Sequence, residues 1–150
     1  MEIIIASSVR YGKYRNFLQA ANKFVDVLSA KEKTIREYFS LPENIEIIMR
    51  PVRGLYGTAS VLRCECGNKY MVEIDVRQSL EEFKDTILHE LVHIEQYFEN
   101  RLFLRSEHLY STFEGQEFRL ISNKSDDYNN LPWEKEAIEK SAKLKSIIFK

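Results

Sequence analysis

Ser79 and Glu82 stand three residues apart, and apolar residues follow at Phe83, Ile87, Leu91, Ile94 and Phe98. That combination commits residues 80–99 to a helix. A serine hydroxyl and a glutamate carboxylate at this spacing satisfy each other's free backbone N–H groups at a helix start. Apolar steps of three and four residues then make a stripe that other elements must cover. The cover has to come from the rest of the chain. Residues 16–39 read as an N-terminal helix, with Phe17, Phe24, Val25, Leu28, Ile35 and Phe39 at helical steps and Leu41-Pro42 and Asn44 as its stop. The pattern then changes to the β-type runs Ile45–Met49, Tyr56–Cys64 and Tyr70–Val76, separated by Pro51, Gly54, Gly57 and Gly67-Asn68. In the third run Val72, Ile74 and Val76 alternate with Met71, Glu73 and Asp75, which makes one face apolar. A hairpin is expected from Tyr110–Phe113 and Phe118–Ile121 around Glu114-Gly115, and a loop over Ser122–Asn130. Leu131-Pro132 opens a final helix carrying Trp133, Ala137, Leu144, Ile147 and Ile148. The expected class is α+β: an N-terminal helix, a small mostly antiparallel sheet, the capped helix and a C-terminal helix.

With 150 residues and no internal repeat or low-complexity linker, the chain reads as one domain over residues 1–150. Twenty-two basic against twenty-three acidic residues leave a net charge of −1, so nucleic acid and anionic membrane are not expected partners. The longest apolar runs, Ile3–Ala6 and Ile147–Phe149, fall far short of a membrane span. Two cysteines make no disulfide framework, and Met-Glu-Ile-Ile-Ile-Ala lacks a basic leader region; a reducing cytoplasm is the expected compartment.

Inside the capped helix lies His89-Glu90-Leu91-Val92-His93, an H-E-x-x-H pattern. Residues four apart stand one turn above each other, so His89 and His93 can aim two imidazole nitrogens at one point. That geometry suits a divalent metal, above all zinc. Glu90, one residue on, is set off that edge, where it reaches a metal-activated water and can take its proton. The bland alternative is two surface histidines beside a solvated glutamate.

A catalytic zinc needs a third protein ligand. Glu99 stands where metzincins place a third histidine, but Gln96 occupies the position where they turn the chain with glycine. His108 sits in the polar stretch Glu107-His108-Leu109, where solvation is the ordinary fate of a histidine. Glu136, in Trp133-Glu134-Lys135-Glu136-Ala137, shares a helix face with Trp133, Ala137, Lys140 and Leu144. It is preferred as the third ligand, against a surface pair with Lys140; Glu134 keeps a smaller share, and His108 is the next candidate should Glu136 face solvent.

His-Glu-Leu-Val-His followed by a later Glu-Ala on a second helix resembles the gluzincin, thermolysin-like zinc metallopeptidases, over about residues 70–140. The short chain and Leu-Pro-Trp-Glu-x-Glu-Ala after a hairpin resemble minimal members of phages or mobile elements. The resemblance implies a zincin-like fold, zinc on His89, His93 and Glu136, Glu90 as general base, and hydrolysis of a protein or peptide substrate. It also implies that the strand Tyr70–Val76 is an edge that pairs with an extended peptide. The chain departs from the family in the forty-three-residue interval to Glu136 and in showing no following histidine as proton donor. Two other functions fit the same motif: a non-catalytic zincin-like module that binds another protein, and a structural zinc tying two helices together.

Cys64-Glu65-Cys66-Gly67 is half of a zinc ribbon with no second pair, and reads as a strand leading into a turn. Tyr97, Tyr110 and Tyr128 could donate to an oxyanion, but packing is the preferred reading of each and none is assigned a catalytic role. The lysines at 140, 143, 145 and 150 read as a solvated helix face.

Overall fold

The computed structural model describes residues 1–6, 12–53, 59–63, 68–104, 110–119 and 128–150. Among these the chain is mixed α and β, with four helices and two sheets. The first strand, β1 (Glu2–Ile5), is followed by a 3-10 turn and the helices α1 (Arg15–Ala30) and α2 (Glu32–Phe39). The expected single N-terminal helix is therefore two. Lys31 breaks it, donating its N–H back to Leu28 and Val27. Both halves keep the expected inner face, and Leu28, Ile35 and Phe39 are fully buried.

Three strands follow: β2 (Glu46–Val52), β3 (Ala59–Arg63) and β4 (Lys69–Asp75). The sheet order is β1-β2-β4-β3. β1 pairs with β2 and β2 with β4 in parallel, and only β3 is antiparallel to its neighbour. The larger sheet is thus mostly parallel, contrary to the antiparallel expectation. The reason lies in the apolar start of the chain: Ile3 is buried, and residues 2–5 form a strand whose return to β2 runs through α1 and α2. Pro51 lies within β2 rather than ending it. The resemblance also misplaced the free edge. β4 lies inside the sheet between β2 and β3, with Tyr70, Val72 and Ile74 buried, and among the described residues the edges are β1 and β3.

α3 (Leu80–Phe98) starts with the expected capping box, Ser79 Oγ accepting from the Glu82 N–H at 3.2 Å and the Glu82 carboxylate accepting from the Ser79 N–H at 2.8 Å. Its stripe of Phe83, Ile87, Leu91 and Ile94 enters the main core. Leu88 and Val92 are buried as well, because α4 (Pro132–Ile148) lies along a second face of the helix. The smaller sheet is antiparallel: β5 (Leu102–Leu104), β6 (Tyr110–Phe113) and β7 (Gln116–Arg119). Glu114 and Gly115 both have positive φ, 52° and 81°, which is the twist a two-residue hairpin demands and the reason glycine stands at 115. β5 had no counterpart in the sequence reading, since three residues are too few for a periodic signal.

Leu102, Phe113 and Trp133 form a second small core, with Phe118 against Trp133 edge-on at 5.4 Å. Trp133 thereby seats the first turn of α4 on the hairpin sheet. Four residues later Ala137 is fully buried in the main core, which also holds the α3 stripe. Its small side chain lets the two helices approach closely. Ala137→Leu is expected to cost about 1–3 kcal/mol by overpacking, read as a lower urea midpoint. An unchanged midpoint would show that the helix contact has room to spare.

Candidate metal centre

Two elements build the site. α3 carries His89 and His93 on one edge, as four-residue spacing requires, with ring centroids 4.8 Å apart at 80° and the two Nε2 atoms 3.1 Å apart. α4 brings Glu134 to them from the opposite side. One Glu134 oxygen lies 2.9 Å from His89 Nε2 and the other 3.2 Å from His93 Nε2. The carboxylate straddles the imidazole pair. Adjacent residues on α4 divide the work: Trp133 anchors to the hairpin while Glu134 turns inward, its side chain only 2% exposed. Its place in the first turn puts the negative charge near the free N–H groups of the helix start, which favours it. Glu90 closes the group, its carboxylate within 4.8 Å of the histidine nitrogens and itself buried.

The charges in this cluster hold one another. Burial works against an ionised Glu134, but hydrogen bonds from His89 and His93 outweigh it and bring its pKa down to about 2. Burial likewise disfavours a charged His93, yet the bond to Glu134 and the nearby Glu90 lift its pKa to about 9. Burial pushes Glu90 up, with the histidines pulling the other way. These shifts fix a pH dependence for the metal-free fold. The His93 contribution is complete below its ordinary 6.5 and is lost as pH rises through about 9. That of Glu134 is present above its ordinary 4.5 and lost as pH falls through about 2. Urea denaturation in excess chelator should therefore show stability declining from neutral pH toward pH 9. A flat profile over that window would contradict the pairing.

The two Nε2 atoms stand 3.1 Å apart and each meets a different Glu134 oxygen, at 2.9 Å and 3.2 Å, somewhat shorter than a tetrahedral zinc site's edges of about 3.3–3.6 Å for bonds of ~2.0–2.2 Å. Two neutral imidazoles and a carboxylate are also the donor types zinc takes in hydrolytic sites. The residues fit the metal. His89 keeps 24% of its side chain exposed, so solvent reaches the cluster from that side.

Glu136 is elsewhere. Its carboxylate accepts from Gln96 Nε2 at 2.7 Å and from Arg101 at 2.5 Å, and Lys140 stands 4.0 Å away. Of the two glutamates on this turn, the structure puts Glu134 rather than Glu136 against the imidazoles. The reason is rotation: two residues on a helix differ by about 200°, so only one can face α3's histidine edge. Lys140 instead bonds the buried Glu95 at 2.7 Å and 2.9 Å, and Lys145 meets Asp85 at 2.6 Å, so part of the expected basic face is tied to α3. Glu99 ends α3 and pairs with Arg101 at 3.3 Å, away from the site. Burial together with the Glu134 carboxylate raises the Tyr128 phenol's pKa; Tyr97 is raised by burial and by the charges of Glu90 and Glu134. His108, Cys64, Cys66, the side chain of Tyr110 and most of the 122–130 loop lie outside the described residues.

Gln96 escaped the sequence reading, which treated it only as the residue standing where a glycine turn would be. It is fully buried and bonded to His93. Its one sequence signal is a polar residue three positions after His93, on the same helix edge. Comparison with family models, curated proteins and solved structures found no match to this chain.

Proposed function

We propose that this chain is a zinc-dependent peptide hydrolase of zincin type, with His89, His93 and Glu134 as metal ligands and Glu90 as general base. The observation that carries the reading is the Glu134 carboxylate across both Nε2 atoms, with Glu90 beside them. Zinc bound there supplies Lewis-acid polarisation of a carbonyl and a water acidic enough to give up a proton near neutral pH. The protein does the rest. The Glu90 carboxylate, desolvated and so raised in proton affinity, accepts the proton of the attacking water and returns it to the leaving amine nitrogen. Glu134 fixes the orientation of both imidazoles, and the surrounding Leu88, Leu91 and Val92 keep bulk water from the inner side.

β3 supplies a place for an extended substrate, in the role first given to Tyr70–Val76. Among the described residues it pairs only with β4 and packs beside α3, so its outer edge can take up a peptide by main-chain hydrogen bonds. A zinc tying two helices together would instead be closed by a fourth protein ligand. Glu90 is the nearby group able to do that, and its replacement tells the two apart.

Two features bear on compartment and partners: the net charge of −1, and the lack of any helix among the described residues long and apolar enough to cross a membrane. They support action in an aqueous compartment, taken here as the cytoplasm. A quenched-fluorophore peptide library is the direct test of hydrolysis. Cleavage should vanish on dialysis against a chelator and return with zinc at about one equivalent per chain. Cleavage that survives complete metal removal would overturn the reading.

A further inference from the structure

We propose that Gln96 is a positioning residue that holds the His93 ring with its Nε2 lone pair toward the metal site. Its role rests on the zinc reading above; its geometry rests on hydrogen-bond valence alone. The Gln96 amide nitrogen lies 3.0 Å from the Trp133 carbonyl oxygen and 2.7 Å from a Glu136 carboxylate oxygen. Both neighbours accept and neither donates, so both amide hydrogens are committed and the amide cannot turn over. The Gln96 carbonyl oxygen therefore faces His93 Nδ1, at 2.8 Å, and needs a proton there. A neutral imidazole carries one N–H. Without metal Nε2 also faces an acceptor, a Glu134 oxygen at 3.2 Å; with that carboxylate on zinc, the single proton stays on Nδ1 and Nε2 is the bare nitrogen that binds metal.

The amide is itself held. Arg101 donates to Glu136 at 2.5 Å and to Glu114 at 2.8 Å. A line of hydrogen bonds thus runs from the hairpin turn through Arg101, Glu136 and Gln96 to the His93 ring. This assigns Glu136 a place two bonds behind a ligand rather than on the metal. It also gives the small sheet a connection to the site that packing by Trp133 alone would not.

Long-range proton–nitrogen NMR of the zinc-loaded wild-type protein reads the two His93 nitrogens separately. The expected spectrum has a slowly exchanging proton on Nδ1 and the metal on Nε2. Metal on Nδ1, or no proton there, overturns the inference. Gln96→Leu should speed exchange of that proton and weaken zinc binding about 10–100-fold, measured by competition with a chromophoric chelator. A folded Gln96→Leu protein with wild-type zinc affinity also overturns it. If that variant does not fold, the wild-type spectrum still decides. If the wild-type protein takes up no zinc, the zinc reading fails by itself. The metal-free spectrum then tests Gln96 alone: a slowly exchanging proton on Nδ1 that exchanges faster in Gln96→Leu upholds the contact, and an Nδ1 without a protected proton refutes it.

Discussion

Glu90→Gln is expected to retain zinc and the fold while losing peptide hydrolysis by roughly 10²–10⁴-fold, the contribution of a well-placed general base. The substitution keeps the volume of a buried side chain and removes the basic oxygen. Since burial already disfavours ionised Glu90, the neutral amide should not destabilise the helix. The measurement pairs metal content with kcat/KM on any cleaved peptide. Two results count against the mechanism: undiminished cleavage, or zinc lost with the carboxylate. The second outcome would make Glu90 a ligand and favour a closed structural site.

Glu134→Ala is expected to weaken zinc binding by about 10²–10³-fold. Structural zinc binding of about 10–16 kcal/mol spread over four ligands gives roughly 3 kcal/mol per ligand, which converts to that range. Glu136→Ala should cost less than about tenfold, because Glu136 reaches His93 only through Gln96. The ratio between the two variants is the informative quantity. Equal losses, or a larger loss at Glu136, would restore the assignment that sequence spacing favoured. Glu134→Ala also leaves His89 and His93 without their carboxylate, so its zinc-free form should lose the pH-dependent stability described above.

Local signals in the sequence were enough for α3 and for the pairing of His89 with His93, since a capping box and four-residue spacing act within one helix. The turn at Glu114-Gly115 was legible for the same reason: only positive-φ residues make it. What the sequence did not yield depends on how separate elements meet. Whether Glu134 or Glu136 faces α3 is decided by the rotation of α4 about its axis. That rotation follows from Trp133 seating on Phe113 and Phe118 and from Ala137 entering the main core with the α3 stripe. Both glutamates lie in the same turn, so no periodicity argument separates them. Sheet order failed similarly. β4 carries the alternation of a one-sided strand, but its neighbours on either side come from residues 46–52 and 59–63, and pairing across such intervals leaves no mark on β4 itself. Gln96 was invisible because its partners, Trp133 and Glu136, lie 37 and 40 residues away.

Anomalous diffraction at the zinc edge from crystals of the wild-type protein grown with one equivalent of zinc tests the central claim most directly. The account predicts a single peak at about 2.0–2.2 Å from His89 Nε2, His93 Nε2 and a Glu134 oxygen, with Glu136 still on Arg101. A peak ligated by Glu136, or no peak between the two imidazoles, would contradict it.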